Sequence, residues 1–174
     1  ASGFAAKLED NVRWQGLRGL HYGNRLIYEL LTWAKLRKDA DLRYRIAAAR
    51  VNAGEAVLDL CAGPGRFASF LPAGCTYESV EASPAFSVDL ARRGIKNTAL
   101  DLHAGFDMNG RRFDTAVMLI SLYQFRQTSA ETLLERLKGA ARRIVIVEDV
   151  LVEARAADSW FSRTVDFLCA QDYY

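Results

Sequence analysis

Between Ala56 and Pro72 the sequence reads AVLDLCAGPGRFASFLP: an apolar run long enough for one buried strand, a turn carrying Gly63 and Gly65, and the start of a helix. No other stretch constrains the fold as much. A short apolar run closed by a glycine turn belongs in a parallel sheet covered on both faces. Glycine lacks a Cβ, so the turn can take positive φ and come within van der Waals reach of a ligand, while the first free N–H groups of the following helix point outward. The turn is expected to hold a nucleoside cofactor, and its charge decides which one.

Gly63-x-Gly65-x-x-Ala68 satisfies the G-x-G-x-x-G/A form of the dinucleotide fingerprint, which on its own is a weak match. Asp59 stands four residues before Gly63. A carboxylate there would repel a pyrophosphate but attract the ammonium group in the methionyl part of S-adenosylmethionine. Pro64 removes an N–H from a turn that would otherwise wrap a diphosphate. These residues resemble the glycine motif of class I S-adenosylmethionine-dependent methyltransferases, D/E-x-G-x-G-x-G, which here reads Asp59-Leu60-Cys61-Ala62-Gly63-Pro64-Gly65 with Cys61 at the first glycine position. The chain looks most like small methyltransferases with an N-terminal helical segment ahead of a D-L-C-x-G-P/T-G loop, over the stretch from Tyr22 to Val150.

Glu81 falls about 20 residues beyond Asp59, the separation expected of an acid at the end of the second strand that accepts hydrogen bonds from ribose hydroxyls. The alternative is a solvated strand-end glutamate. Asp101-Leu102 follows the third strand. In the methyltransferases this position meets adenine, the polar side chain at the exocyclic amine and the apolar neighbour on the ring; otherwise Asp101 is a loop aspartate capping its own backbone. The resemblance thus implies cofactor contacts from Asp59, Cys61, Ala62, Gly63, Gly65, Glu81, Ala82, Asp101, Leu102, Ile120 and Tyr22. Tyr123 and Gln124, leaving the fourth strand, are substrate-side candidates or core residues. No catalytic residue is identified.

The expected elements run in the order such a fold needs. Helices over Asn24–Lys38, with Leu26, Leu30 and Trp33/Ala34 on one stripe, and over Asp41–Val51 precede strands at Ala56, Thr76–Val80, Asn97–Leu100, Asp114–Ile120 and Arg143–Glu148. Further helices are expected near Arg66, from Pro84 with Ser83 as its cap, and from Ser129, the last with a Thr128-x-x-Glu131 capping box and a stop at Gly139. This alternation makes an α/β fold the expectation, and the resemblance implies a Rossmann-like three-layer sandwich with a mostly parallel sheet in the order 3-2-1-4-5. Residues 1–174 form one domain, 1–52 a helical segment or lid and 53–174 the cofactor-binding core.

The sequence ends in a helix at about Ala157–Ala170 and Gln171-Asp172-Tyr173-Tyr174. Of the helix and antiparallel strand pair that normally follow the fifth strand in this family, the strand pair is therefore expected to be missing. The apolar fifth-strand edge would then be covered by Trp160, Phe161 and Phe167 or by a second copy in a homodimer.

Composition narrows the classes. With 23 basic and 21 acidic residues spread along the chain, net charge +2, no footprint for nucleic acid or an anionic membrane stands out. The [D/N/S]-P-P-[Y/F/W] tetrapeptide of amino-directed DNA methyltransferases is replaced by Ile120-Ser121-Leu122-Tyr123. Three cysteines without C-x-x-C spacing and two distant histidines suggest neither metal nor disulfide framework. The absence of a membrane span and of a signal peptide in the opening ASGFAAKLEDN makes a cytoplasmic protein the expectation. The expected function is methyl transfer from S-adenosylmethionine to a small-molecule acceptor, with Glu148 or Asp149 as a base where the acceptor is a hydroxyl, or else as solvated strand-end acids. The alternatives are an NAD(P)-dependent oxidoreductase, which would want amides in place of Asp59 and Pro64, and a non-catalytic methyltransferase-like binding domain.

Overall fold

The computed structural model describes residues 24–36, 40–103, 105–125 and 127–148. Five strands, β1 Ala56–Leu60, β2 Thr76–Val80, β3 Lys96–Thr98, β4 Phe113–Leu119 and β5 Ala141–Val147, form one sheet in the order β3-β2-β1-β4-β5. Every pairing is parallel. The chain winds outward from β1 to β3 and then crosses to β4 on the other side of β1. Their C-terminal ends therefore splay at the β1/β4 boundary, where open α/β sheets bind ligands.

Alternation along β1 sends its residues to two cores. Leu58 and Leu60 join Val80, Met118, Leu133 and Leu137 on one face, and Val57 joins Tyr44, Ala47, Phe67 and Val117 on the other. Leu58 and Leu60 are wholly buried, each stabilising the fold by about 1.5–3 kcal/mol. Asp59, between them in sequence, shares the side of Val57 and is just 2% exposed.

Helix α1 covers Arg25–Leu36, α2 Leu42–Ala48, α3 Pro84–Arg92 and α4 Gln127–Ala140. Ser83 caps α3, its hydroxyl accepting the Phe86 N–H at 3.4 Å, with Pro84 in the first turn as expected. Four expectations need correction. The segment at Arg66 is a five-residue 3₁₀ turn, Arg66–Phe70, because Pro72 holds Leu71 extended. Helix α4 begins before Ser129 and runs through Gly139 straight into β5, so Thr128 lies inside the helix and Gly139 stops nothing. The stripe of α1 faces outward among the described residues, with Leu26, Leu30 and Trp33 all more than 60% exposed. Its docking side chains are instead Tyr28, edge-on to Phe86 at 5.4 Å, and Arg25, 3.6 Å from Asp89.

Two polar clusters tie the helices and strand starts together. Asp41, just before α2, accepts from Arg66 Nε and Nη2 at 3.1 and 2.8 Å and so leaves its own helix uncapped. At the N-terminal end of the sheet Glu55 accepts from Thr115 at 2.7 Å, from Asn52 at 2.6 Å and from Arg143. Among the described residues β5 pairs with β4 alone, and Ile146 on it is 38% exposed. Trp160, Phe161 and Phe167, expected to cover that edge, lie outside the described residues, as do Tyr22 and Asp149. No helix among the described residues is long and apolar enough to cross a membrane, and none of their His, Cys, Asp and Glu side chains cluster as a metal site would need.

Candidate functional site

The loop after β1 is built by three residues in the left-handed region: Cys61 at φ 55°, Gly63 at 55° and Gly65 at 66°. Gly65 is favoured as glycine twice over, by its positive φ and because a Cβ there would lie 2.5 Å from Leu90 Cδ2 on α3, which would have to shift. Gly63 differs. A Cβ on it would meet nothing within 4 Å, so the loop faces open space at that point. Arg93, just after α3, donates to the Pro64 carbonyl and pairs with Asp89 at 3.0 Å, clamping the back of the loop to the helix.

Glu81, directly after β2, reaches across to this loop. Its Oε2 accepts the Gly63 N–H at 2.7 Å and its Oε1 the Ser83 N–H at 2.7 Å, with the Ala82 amide adding a third bond. Burial raises its pKa and the three amides pull it down, with the net shift upward. An ionised carboxylate has about four acceptor sites, so hydroxyl donors can still be received. The solvated strand-end alternative is excluded, since the carboxylate bridges two loops.

Asp59 is the second acid. Its Oδ2 accepts the Tyr77 hydroxyl at 2.6 Å, and its other oxygen has no hydrogen-bond partner among the described residues. Burial raises its pKa to about 7, against the Tyr77 hydrogen bond and with help from the charge of Glu81. Neither Asp59 nor Glu81 is ion-paired with a base among the described residues.

Asp101 comes close enough for its charge to act on Cys61, as do Asp59 and Glu81. Burial and these charges drive the Cys61 thiol far above its ordinary range, which removes it as a nucleophile. Asp101 Oδ1 accepts the His103 N–H at 2.9 Å, the self-capping turn that sequence offered as the alternative to a ligand role. Leu102 is buried in the sheet core, 9% exposed. A cleft of about 330 Å³ on the α4 side of this connection is bounded by Leu102, His103, Phe106, Leu133 and Arg136 and includes none of the glycine-loop residues.

Beyond β4, Ile120 takes φ 49°, a strained value for a β-branched residue. Strain at Cys61 and Ile120 thus flanks the splayed ends of two neighbouring strands. The Ser121 and Leu122 amides both donate to Glu148 Oε1, at 2.9 and 2.6 Å. Glu148 is thus not simply a solvated strand-end acid: its Oε1 caps the Leu122–Gln124 turn. Tyr123 on this turn is 61% exposed, so it is not a core residue, and Gln124 lies partly buried beside it. Phe125 is the one that packs inward, stacked on His103 at 4.4 Å.

Two further tyrosines border the site, of which Tyr77 alone escaped sequence reasoning. Tyr28 on α1 sits close enough to Glu81, Arg43, Tyr44 and Tyr123 to feel their charges, and burial pushes its hydroxyl up to about 12. Tyr77 lies mid-strand in β2, where alternation marks it as an ordinary half-buried aromatic. No local signal distinguished it.

No family model matches the sequence, and no curated protein matches it. Solved structures do. The structure described as the [4+2]-cyclase SpnF aligns with TM-score 0.56 at 15% identity, covering 74% of this chain and 57% of its own. That of the CcbJ methyltransferase from Streptomyces caelestis aligns with TM-score 0.50 at 18% identity, covering 60% of this chain and 48% of its own. The match extends over about half the length of these structures. What they share with it is the fold, a Rossmann-like α/β sandwich with the sheet order 3-2-1-4-5.

Proposed function

We propose that this chain belongs to the class I S-adenosylmethionine-dependent methyltransferases and transfers a methyl group to a small-molecule acceptor. The fold alone selects no reaction, since of two similar structures one is described as a cyclase and the other as a methyltransferase. The observation that carries the reading is the polarity of the loop. The Gly63 amide, which a diphosphate would need, is donated to Glu81, and the buried Asp59 beside it keeps one oxygen unpartnered. A buried and a half-buried acid with no cation between them suit a ligand bearing an ammonium, a sulfonium and hydroxyls, and oppose a dinucleotide.

In this reading Asp59 receives the ammonium group and Glu81 the ribose hydroxyls. Cys61, Ala62, Gly63 and Gly65 let the backbone approach, Ala82 flanks adenine with Asp101 at its amine, and Ile120 lies toward the methyl group, while Leu102, expected on the ring, is buried in the core instead. When bound, S-adenosylmethionine supplies an already activated methyl on its sulfonium. The chain's task is then to hold an acceptor in line and exclude water, a proximity effect of roughly 7–11 kcal/mol. Tyr123 and Tyr28 are the aromatic surfaces nearest that acceptor, with Gln124 as a polar contact. Glu148, whose Oε1 caps the Leu122–Gln124 turn and whose Oε2 accepts no hydrogen bond among the described residues, is the candidate base where the acceptor is a hydroxyl.

Calorimetry against S-adenosylhomocysteine and NADH tests the assignment. Binding of the first, lost in Asp59→Ala and Glu81→Ala with the circular dichroism spectrum retained, is expected; tighter binding of NADH overturns it. Turnover with a panel of hydroxyl, amine and carbon acceptors separates the enzyme from a binding domain.

A further inference from the structure

Asp59 could serve a ligand only if one of its oxygens is left free and its charge is kept, and the structure provides a residue for both. Tyr77 lies two residues before Ser79, the parallel partner of Asp59, so its side chain has to run along the sheet to reach the carboxylate. It does so at 2.6 Å, hydroxyl to Oδ2. Asp59 is 2% exposed and receives no other hydrogen bond among the described residues. A phenol is a donor at neutral pH, and one donor to one oxygen fixes the rotation of the carboxylate plane. The remaining oxygen is then aimed by default rather than saturated. A second donor would have satisfied the acid and left nothing for a ligand to gain.

Resting on the cofactor reading above, we infer that Tyr77 is the positioning residue of this site, holding one oxygen of Asp59 so that the other, ionised and unpartnered, meets the ligand's cationic end. The groups that share the surroundings of Asp59 are Tyr77 from β2, Glu81 directly after it, Cys61 from the loop and Tyr44 from α2. Guanidiniums act one step removed, Arg43 and Arg66 on Tyr44 and Arg93 on Tyr77. No cation therefore holds Asp59 charged directly, and the phenol is what favours its ionised form.

The test is Tyr77→Phe, which keeps the ring. Affinity for S-adenosylhomocysteine is measured for variant and wild type from pH 6 to 9, and the ratio of the two is taken at each pH so that titration of the ligand's own amine cancels. A hydrogen bond that lowers a carboxyl by about one pH unit predicts a roughly tenfold loss at pH 6 shrinking to near parity at pH 9. The pH dependence of the thermal midpoint without ligand is expected to move upward by the same interval. A loss that is uniform across pH, the mark of a merely structural tyrosine, overturns the assignment, as does an unchanged affinity or an unmoved midpoint profile. Wild-type protein that binds no S-adenosylhomocysteine overturns the cofactor reading and this assignment with it.

Discussion

Replacing Asp59 by Asn separates what that carboxylate does for the fold from what it does for a ligand. The folded chain holds the Asp59 proton up to about pH 7, whereas an unfolded chain releases it near 3.8. Between those values the folded state binds more protons, so stability falls as pH rises through the window and the penalty is complete above about 7. The interval is worth about 4 kcal/mol at 1.36 kcal/mol per unit, an upper bound because Glu81 is close by. An Asn retains the acceptor for Tyr77 but brings a buried amide that wants partners, at about 1–3 kcal/mol. The net expectation is a gain of about 1–2 kcal/mol at pH 8, a rise in Tm of roughly 2–8 °C for a chain of this size. At pH 5, where the wild-type carboxyl is mostly protonated, the gain disappears or reverses. The same substitution removes a charge-assisted bond worth about 1.5–3 kcal/mol, so affinity for S-adenosylhomocysteine falls roughly 10- to 100-fold. Scanning calorimetry at the two pH values and titration at pH 8 are sufficient. A variant no more stable relative to wild type at pH 8 than at pH 5 refutes the account of the buried acid, and undiminished affinity refutes its role at the site.

The two loop glycines should part company. Gly65→Ala forces a Cβ to 2.5 Å from Leu90 at φ 66° and should cost about 1–3 kcal/mol in urea denaturation. Gly63→Ala points into open space, so it should cost about 1 kcal/mol yet abolish detectable cofactor binding. Glu55 should support the fold in the opposite pH sense to Asp59. Burial would raise its pKa, but bonds from Thr115, Asn52 and Arg143 outweigh that and hold it to about 2, so its contribution is full above its ordinary 4.5 and fades as pH falls through about 2. Glu55→Gln is accordingly expected to lose about 1–2 kcal/mol at pH 7 and to converge with wild type in acid. The Cys61 thiol should resist iodoacetamide at pH 7.5 in the folded chain and react once urea unfolds it, with peptide mass spectrometry as the readout.

Much of this architecture was legible in the chain because its signals are short-range. The β2 bounds, the Ser83-Pro84 cap and the apolar runs at β1 and β4 follow from periodicity and turn chemistry within a few residues, and the sheet order from the resemblance that the glycine loop carries. The acids at 59 and 81 were placed by motif and spacing. What only tertiary structure decided are the meetings of residues far apart: Tyr77 with Asp59 across 18 positions, and Ser121 with Glu148 across 27. The first turned an ordinary strand tyrosine into part of the site, and the second tied one oxygen of a candidate base to the turn after β4. The outward face of Leu26, Leu30 and Trp33 belongs with them. An amphipathic stripe records that a helix has a side, while which side docks depends on whether Tyr28 finds Phe86, a fact of packing that no window along the chain contains.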